Sequence, residues 1–226
     1  MDTVDLWRPT GRAELDLVAA SRWRAWPPRL PDQPIFYPVA NRWYATKIAR
    51  EWNVPAGGVG FVTRFSVRRD FLDRYPVQQA GGRDVLEHWV PAEDLEEFNA
   101  NIVGAIVCEA EYRGPVADDE FAQAEDRLGR PLPAAWRRYL QGESWFRSGR
   151  LGDAVVTLYT PAETLKATEH AGAATVGDDG SRGRLAFDLT RDPAPVSLLG
   201  VTPDPVPVAA DAGAFTTRVE SGDLSW

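Results

Sequence analysis

The stretch FAQAEDRLGRPLPAAWRRYL, residues 121–140, decides the fold class of the C-terminal half of the chain. Phe121, Ala124 and Leu128 recur at helical spacing, and Gly129 ends the run. Beyond Pro133 a second helical stripe begins with Trp136, Tyr139 and Leu140. Working outward, Val155 to Tyr159 reads as a strand. The following Thr160-Pro161-Ala162-Glu163 is a capping box with proline at the first helical position. Strands are expected at Arg184 to Leu189, Pro195 to Val201 and Phe215 to Val219, with Thr202 to Asp211 as an irregular connection. Helices first and a mostly antiparallel sheet afterwards make an α+β module.

Upstream, Arg113-Gly114-Pro115 separates this pattern from an earlier one. Leu15, Val18 and Ala19 mark a short helix, and Ala45, Ile48, Ala49 and Trp52 mark another that Asn41 is placed to cap. Val59 to Val67 and Ile106 to Tyr112 alternate as strands, and an acidic helix is expected to begin near Pro91. The expectation is two α+β domains, residues 1–113 and 114–226. A length of 226 residues accommodates both.

Composition limits the function classes. With 44% hydrophobic and 26% charged residues the chain has a globular profile. The net charge of −8 argues against DNA as a partner, because neutralising phosphates takes clustered Lys and Arg. Residues 1–113 carry 14 Lys/Arg against 16 Asp/Glu, and the remainder 11 against 17, so the surplus of acid belongs mainly to the second half. Such a surface suits a basic protein partner, and it equally serves solubility. One cysteine, Cys108, and two histidines, His88 and His170, leave no disulfide framework and no ordinary zinc set, so no metal is expected. The acidic start MDTVDLWRPT lacks the pattern of a signal peptide, and no apolar run is long enough to span a bilayer. A cytoplasmic protein without membrane partners is the resulting expectation. Of nine tryptophans, Trp7, Trp23, Trp26, Trp43, Trp52, Trp89 and Trp136 lie in structured segments, and most of them are expected to anchor cores.

The helix ending in Leu128-Gly129, followed by Leu132-Pro133 and a helix bearing Trp136 and Leu140, resembles the opening of the SUKH superfamily of bacterial immunity proteins. The likeness continues through Val155 to Tyr159, the helix from Pro161, Val176-Gly177-Asp178-Asp179-Gly180 and Leu185 to Leu189. It departs at Gln141 to Phe146, where the family often has an Asn-Gly turn. The resemblance implies a protein that binds and neutralises a toxin, with no catalytic set. Trp145 and Phe146 are candidate interface anchors, or else fold back onto the core. The Asp178-Asp179-Gly180 turn suits a basic partner or a metal, though Asp and Gly also favour turns for purely local reasons.

In the first half, Leu6-Trp7-Arg8-Pro9, the Pro-rich run from Trp26 through Phe36-Tyr37-Pro38 to Ala45, and Glu87-His88-Trp89-Val90-Pro91 are similar to a small bacterial family related to ADP-ribosylation. The order of these motifs also resembles the wider ADP-ribosyltransferase layout. That resemblance implies NAD as the cofactor, Glu87 as the catalytic carboxylate, and Arg8 and Tyr37 as its cofactor-binding residues, on pyrophosphate and nicotinamide. Gln78 and Gln79, before Gly81-Gly82, would position the acceptor. The chemistry asks for these types, since cleaving a ribosyl bond builds oxocarbenium character that a fixed carboxylate offsets. Each residue also has a plain structural alternative: Glu87 as an exposed strand carboxylate, Arg8 stacked on a tryptophan, Tyr37 in the core. The segment Arg22 to Arg29 mixes cations and aromatics in a Pro-rich loop. Two functions stand open: a partner-binding immunity protein whose first half is auxiliary, and an NAD-dependent ADP-ribosyltransferase that the second half targets or restrains.

Overall fold

The computed structural model describes residues 2–82, 84–224 and 226, and its chain forms two compact units, Met1–Tyr112 and Arg113–Trp226. Both mix helices with strands, and the strand pairs of known direction are antiparallel.

The N-terminal unit opens with β1 (Thr3–Thr10) and α1 (Arg12–Ala20), then β2 (Ile35–Phe36) and α2 (Arg42–Ile48). The α2 helix starts as the sequence predicts, with Asn41 Oδ1 accepting from the Tyr44 amide at 3.1 Å. It runs on into a π-helical turn at Ala49–Asn53 and α3 (Val54–Gly57). Then come β3 (Val59–Arg68), α4 (Arg69–Leu72), β4 (Val77–Gln79), β5 (Leu86–His88), β6 (Val90–Pro91), α5 (Leu95–Ala100) and β7 (Ile102–Arg113). The main sheet of this unit has the order β1-β3-β7, and β4-β5 and β2-β6 are separate antiparallel pairs. On β1 the residues Leu6, Arg8 and Thr10 alternate inward. Leu6 joins a core built from Val18, Trp26, Phe36, Phe65, Phe71 and Phe98. Trp26 sits at its centre, 5.4 Å from the Phe36 ring and 5.1 Å from that of Phe65.

The C-terminal unit begins with α6 (Asp118–Leu128), stopped by Gly129 in the left-handed region, and α7 (Ala134–Leu140). Strands β8 (Trp145–Leu151) and β9 (Ala154–Leu158) follow, then α8 (Pro161–Ala167), β10 (Ala173–Asp178), β11 (Arg184–Asp188), β12 (Val196–Leu199), β13 (Val206–Ala209) and α9 (Ala212–Ser221). These six strands pair antiparallel in the order in which they are numbered. Trp136, Phe187 and Phe215 meet in the core, with the Trp136 ring 5.8 Å from Phe187 and 5.9 Å from Phe215.

Two expectations are corrected. Phe215 to Val219 is not a strand but part of α9. Asp211 caps that helix by accepting from the Ala214 amide at 2.8 Å, and Ala212, Phe215 and Val219 form its buried stripe. Nor is the segment from Thr202 irregular throughout, since it contains β13. The tryptophans also divide differently: Trp26 and Trp136 are fully buried, whereas Trp43, Trp52 and Trp89 are exposed.

No helix among the described residues is long and apolar enough to cross a membrane.

Candidate functional site

Glu87 sits on β5 directly opposite Gln78 of β4, which puts Gln78 in a short hairpin. On its other side Glu87 bridges to Val39, and Val39 bridges in turn to Trp7 of β1. The Trp7 and Val39 backbones exchange hydrogen bonds of 2.9 and 2.8 Å, and the His88 amide donates to the Pro38 carbonyl at 2.9 Å. Three distant segments therefore meet at Val39. Residues directly opposite in a ladder share a face. Trp7, Val39 and Glu87 accordingly share one, and the next residue on the strand, Arg8, points to the other.

The Glu87 carboxylate is nearly enclosed, the residue being 9% exposed, and its Oε1 accepts from the Trp89 indole Nε1 at 2.7 Å. Glu87 is thus a sequestered acceptor, not an exposed strand carboxylate. Its charge reaches Tyr44 on α2, whose hydroxyl pKa is raised first by burial and then by Glu87. The Trp89 ring meets Tyr37 edge-on, with centroids 6.1 Å apart and planes at 86°. Both rings stand out of the core, Tyr37 38% exposed and Trp89 46%. Here a fixed carboxylate lies beside two half-exposed aromatic faces, which suits a flat, positively charged ring. On the far side of β5, His88 is buried and donates from Nδ1 to the Tyr75 carbonyl at 2.6 Å, serving the core.

Arg8 is largely buried and its nitrogens are engaged internally. Nε and one terminal nitrogen reach Glu14 Oε1, both at 2.9 Å, and the other terminal nitrogen donates to the Tyr37 carbonyl at 3.2 Å. The guanidinium lies 4.6 Å from the Phe36 ring centroid and 5.7 Å from that of Trp26. In this arrangement Arg8 fixes the backbone that carries Tyr37. Arg29 joins the cluster, 3.4 Å from the same Glu14 oxygen and donating to Gln33 at 2.6 Å, while its buried Nε has no partner among the described residues. Burial, and then the neighbouring Arg8 charge, hold the Arg29 pKa below its usual value. One carboxylate thus faces two guanidiniums.

Glu87 and Tyr37 are linked through Trp89, and Tyr37 is linked to Arg8 through its carbonyl. The sequence reading missed Trp89, Glu14 and Arg29. Trp89 had a readable signal, because two residues beyond Glu87 on an extended chain lies on the same side. Glu14 had a weaker one in its place in the first turn of α1.

In the C-terminal unit the expected interface anchors, Trp145 and Phe146, are buried. Trp145 Nε1 donates to the Gly114 carbonyl at 2.7 Å, and the Phe146 amide donates to the Tyr139 hydroxyl at 3.1 Å. They are core residues, 1% and 2% exposed, and fold back rather than presenting a surface. Asp179 Oδ1 accepts from the Ser181 and Gly183 amides, both at 2.9 Å, so this aspartate closes its own turn. No group of three or more His, Cys, Asp or Glu placed to hold a metal occurs among the described residues. No protein-family model matches the chain, and no curated protein is significantly similar to it.

Proposed function

We propose that the N-terminal unit binds the nicotinamide end of NAD on Tyr37 and Trp89 and uses Glu87 to promote ADP-ribosyl transfer. The observation that carries this reading is the enclosed Glu87 carboxylate, oriented by the Trp89 indole beside two half-exposed rings. NAD supplies a ribosyl–nicotinamide bond whose electron pair leaves with neutral nicotinamide, while the ribosyl carbon takes a nucleophile that gives up its proton. Glu87 offsets the positive charge that builds at that carbon, and its place in a low-dielectric strand junction strengthens the effect. Tyr37 and Trp89 present their faces to the pyridinium, and Arg8 acts as a positioning residue through the Tyr37 carbonyl. Gln78, the cross-strand partner of Glu87 on β4, is the polar side chain that register places to orient an acceptor.

For the C-terminal unit a second reading, partner binding of the immunity type, draws on the acidic surplus of that half and on α6, whose first turn carries Asp118, Asp119 and Glu120. A basic toxin or target protein is the partner of matching chemistry.

The test is a calorimetric titration of NAD into wild type and a Tyr37→Ala variant, with nicotinamide measured in the same samples. Saturable binding to wild type, weakened about tenfold or more in the variant, is expected. Absence of both binding and nicotinamide release at millimolar NAD would remove the enzyme reading and leave partner binding as the function.

A further inference from the structure

In the C-terminal unit, Ala174 and Val176 of β10, Leu185 and Phe187 of β11 and Val196 and Leu198 of β12 are buried, and Phe187 packs on Trp136 of α7 and Phe215 of α9. Alternation turns Ala173 and Thr175, Arg184 and Ala186, and Ser197 and Leu199 to the opposite face. A cleft of about 270 Å³ opens there, lined by His170, Thr175, Arg182, Arg184 and Leu199, with Glu169 as its one acidic residue.

Carboxylates are near its cations, but none forms an ion pair with them among the described residues. Arg182 forms no ion pair with any described residue, and Arg184 reaches only the carbonyl of its neighbour Gly183, at 3.3 Å. Asp178 is the cross-strand partner of Arg184, but its carboxylate is engaged elsewhere, accepting from the Tyr159 hydroxyl at 2.6 Å and the Gly180 amide at 2.8 Å. Thr175 is 7% exposed, and its hydroxyl makes no hydrogen bond to any described residue. A second hollow of about 440 Å³ shares the Ala173 and Leu199 walls and adds Pro195, Pro205 and Pro207 together with Asp188, Thr190 and Arg191. In the more acidic half of the chain, two unpaired guanidiniums, an imidazole and a spare hydroxyl converge beside a proline-lined trough.

We propose that this cleft binds a small ligand bearing a carboxylate or phosphate on an apolar body. Arg182 and Arg184 supply planar donor forks that match either oxyanion, and Thr175 and His170 add single donors. The trough takes the apolar remainder. This site is independent of the NAD reading, since all its residues lie in the other unit.

The experiment titrates phenyl phosphate, benzoate and uncharged benzyl alcohol separately into the full chain, followed by amide NMR shifts. Binding of at least one anion at a Kd of millimolar order or tighter is expected, with shifts centred on Gly183, Thr175 and Gly200 and none from benzyl alcohol. Arg182→Gln and Arg184→Gln should each weaken it about tenfold. Arg182 is exposed in a turn, so that variant keeps its fold. The preferred anion tells a carboxylate ligand from a phosphate one. The proposal fails if neither anion binds, if benzyl alcohol binds as well as they do, or if the Arg182 variant retains full affinity.

Discussion

Gly60 on β3 lies against the backbone of the π-helical turn, and a Cβ there would fall inside the contact distance of the Ala49 carbonyl oxygen. Backbone cannot swing aside as a side-chain tip does. Gly60→Ala should therefore destabilise the N-terminal unit by about 1–3 kcal/mol, measured by denaturant unfolding. His88 carries a second prediction. Burial lowers its folded pKa below the unfolded value of about 6.5, so the unfolded chain holds the proton more tightly. The stability His88 permits is present above that value and is lost as pH falls below it. His88→Asn, which keeps a donor toward Tyr75, should show a smaller loss of thermal midpoint between neutral and mildly acidic pH than wild type. A loss of equal size in both would contradict this role. Single residues were unevenly legible: Glu87 could be picked out as a carboxylate on a short strand, and the i+2 spacing put Trp89 on its side of the strand without showing that the indole bonds it. The Arg8–Glu14–Arg29 cluster was illegible because Arg29 arrives from a loop with no periodicity to aim it.

Elements were more legible where local chemistry and burial agree. The Thr160 capping box forms in full, with Thr160 Oγ1 accepting from the Glu163 amide and Glu163 Oε2 from the Thr160 amide at 2.9 Å. Thr160→Ala should cost about 1 kcal/mol of stability in the same unfolding measurement, and an unchanged midpoint would show that α8 is held by packing alone. Gly129 and Asn41 likewise end and start helices where the sequence places them. The α9 helix was misread because Phe215, Thr217 and Val219 alternate, while Ala212, Phe215 and Val219 fit helical spacing equally well. Asp211 as an N-cap and Gly222 as a C-cap decide it. Tryptophans misled for a related reason: a large ring marks a structured segment but not its inward face. Trp7 and Trp89 instead spend their indole N–H groups on Glu109 and Glu87.

At the scale of the whole molecule, each unit has its own aromatic core and its own candidate site. The N-terminal site offers a carboxylate to a developing cation, and the C-terminal cleft offers cations to an anion. The α+β class was readable throughout because periodicity and turn residues are local. The N-terminal site was readable only as motif order, since the Trp7–Val39–Glu87 junction joins segments more than thirty residues apart, and the C-terminal cleft was not readable because its residues come together only in the folded sheet. The most direct test of the central claim is nicotinamide release from NAD by wild type and Glu87→Gln, with NAD affinity measured alongside. Glutamine keeps an oxygen for the Trp89 indole while removing the charge. The account predicts release by wild type, a fall on the order of a hundredfold or more in the variant, and little change in affinity. Equal release from both proteins, or none from wild type despite tight binding, would contradict it.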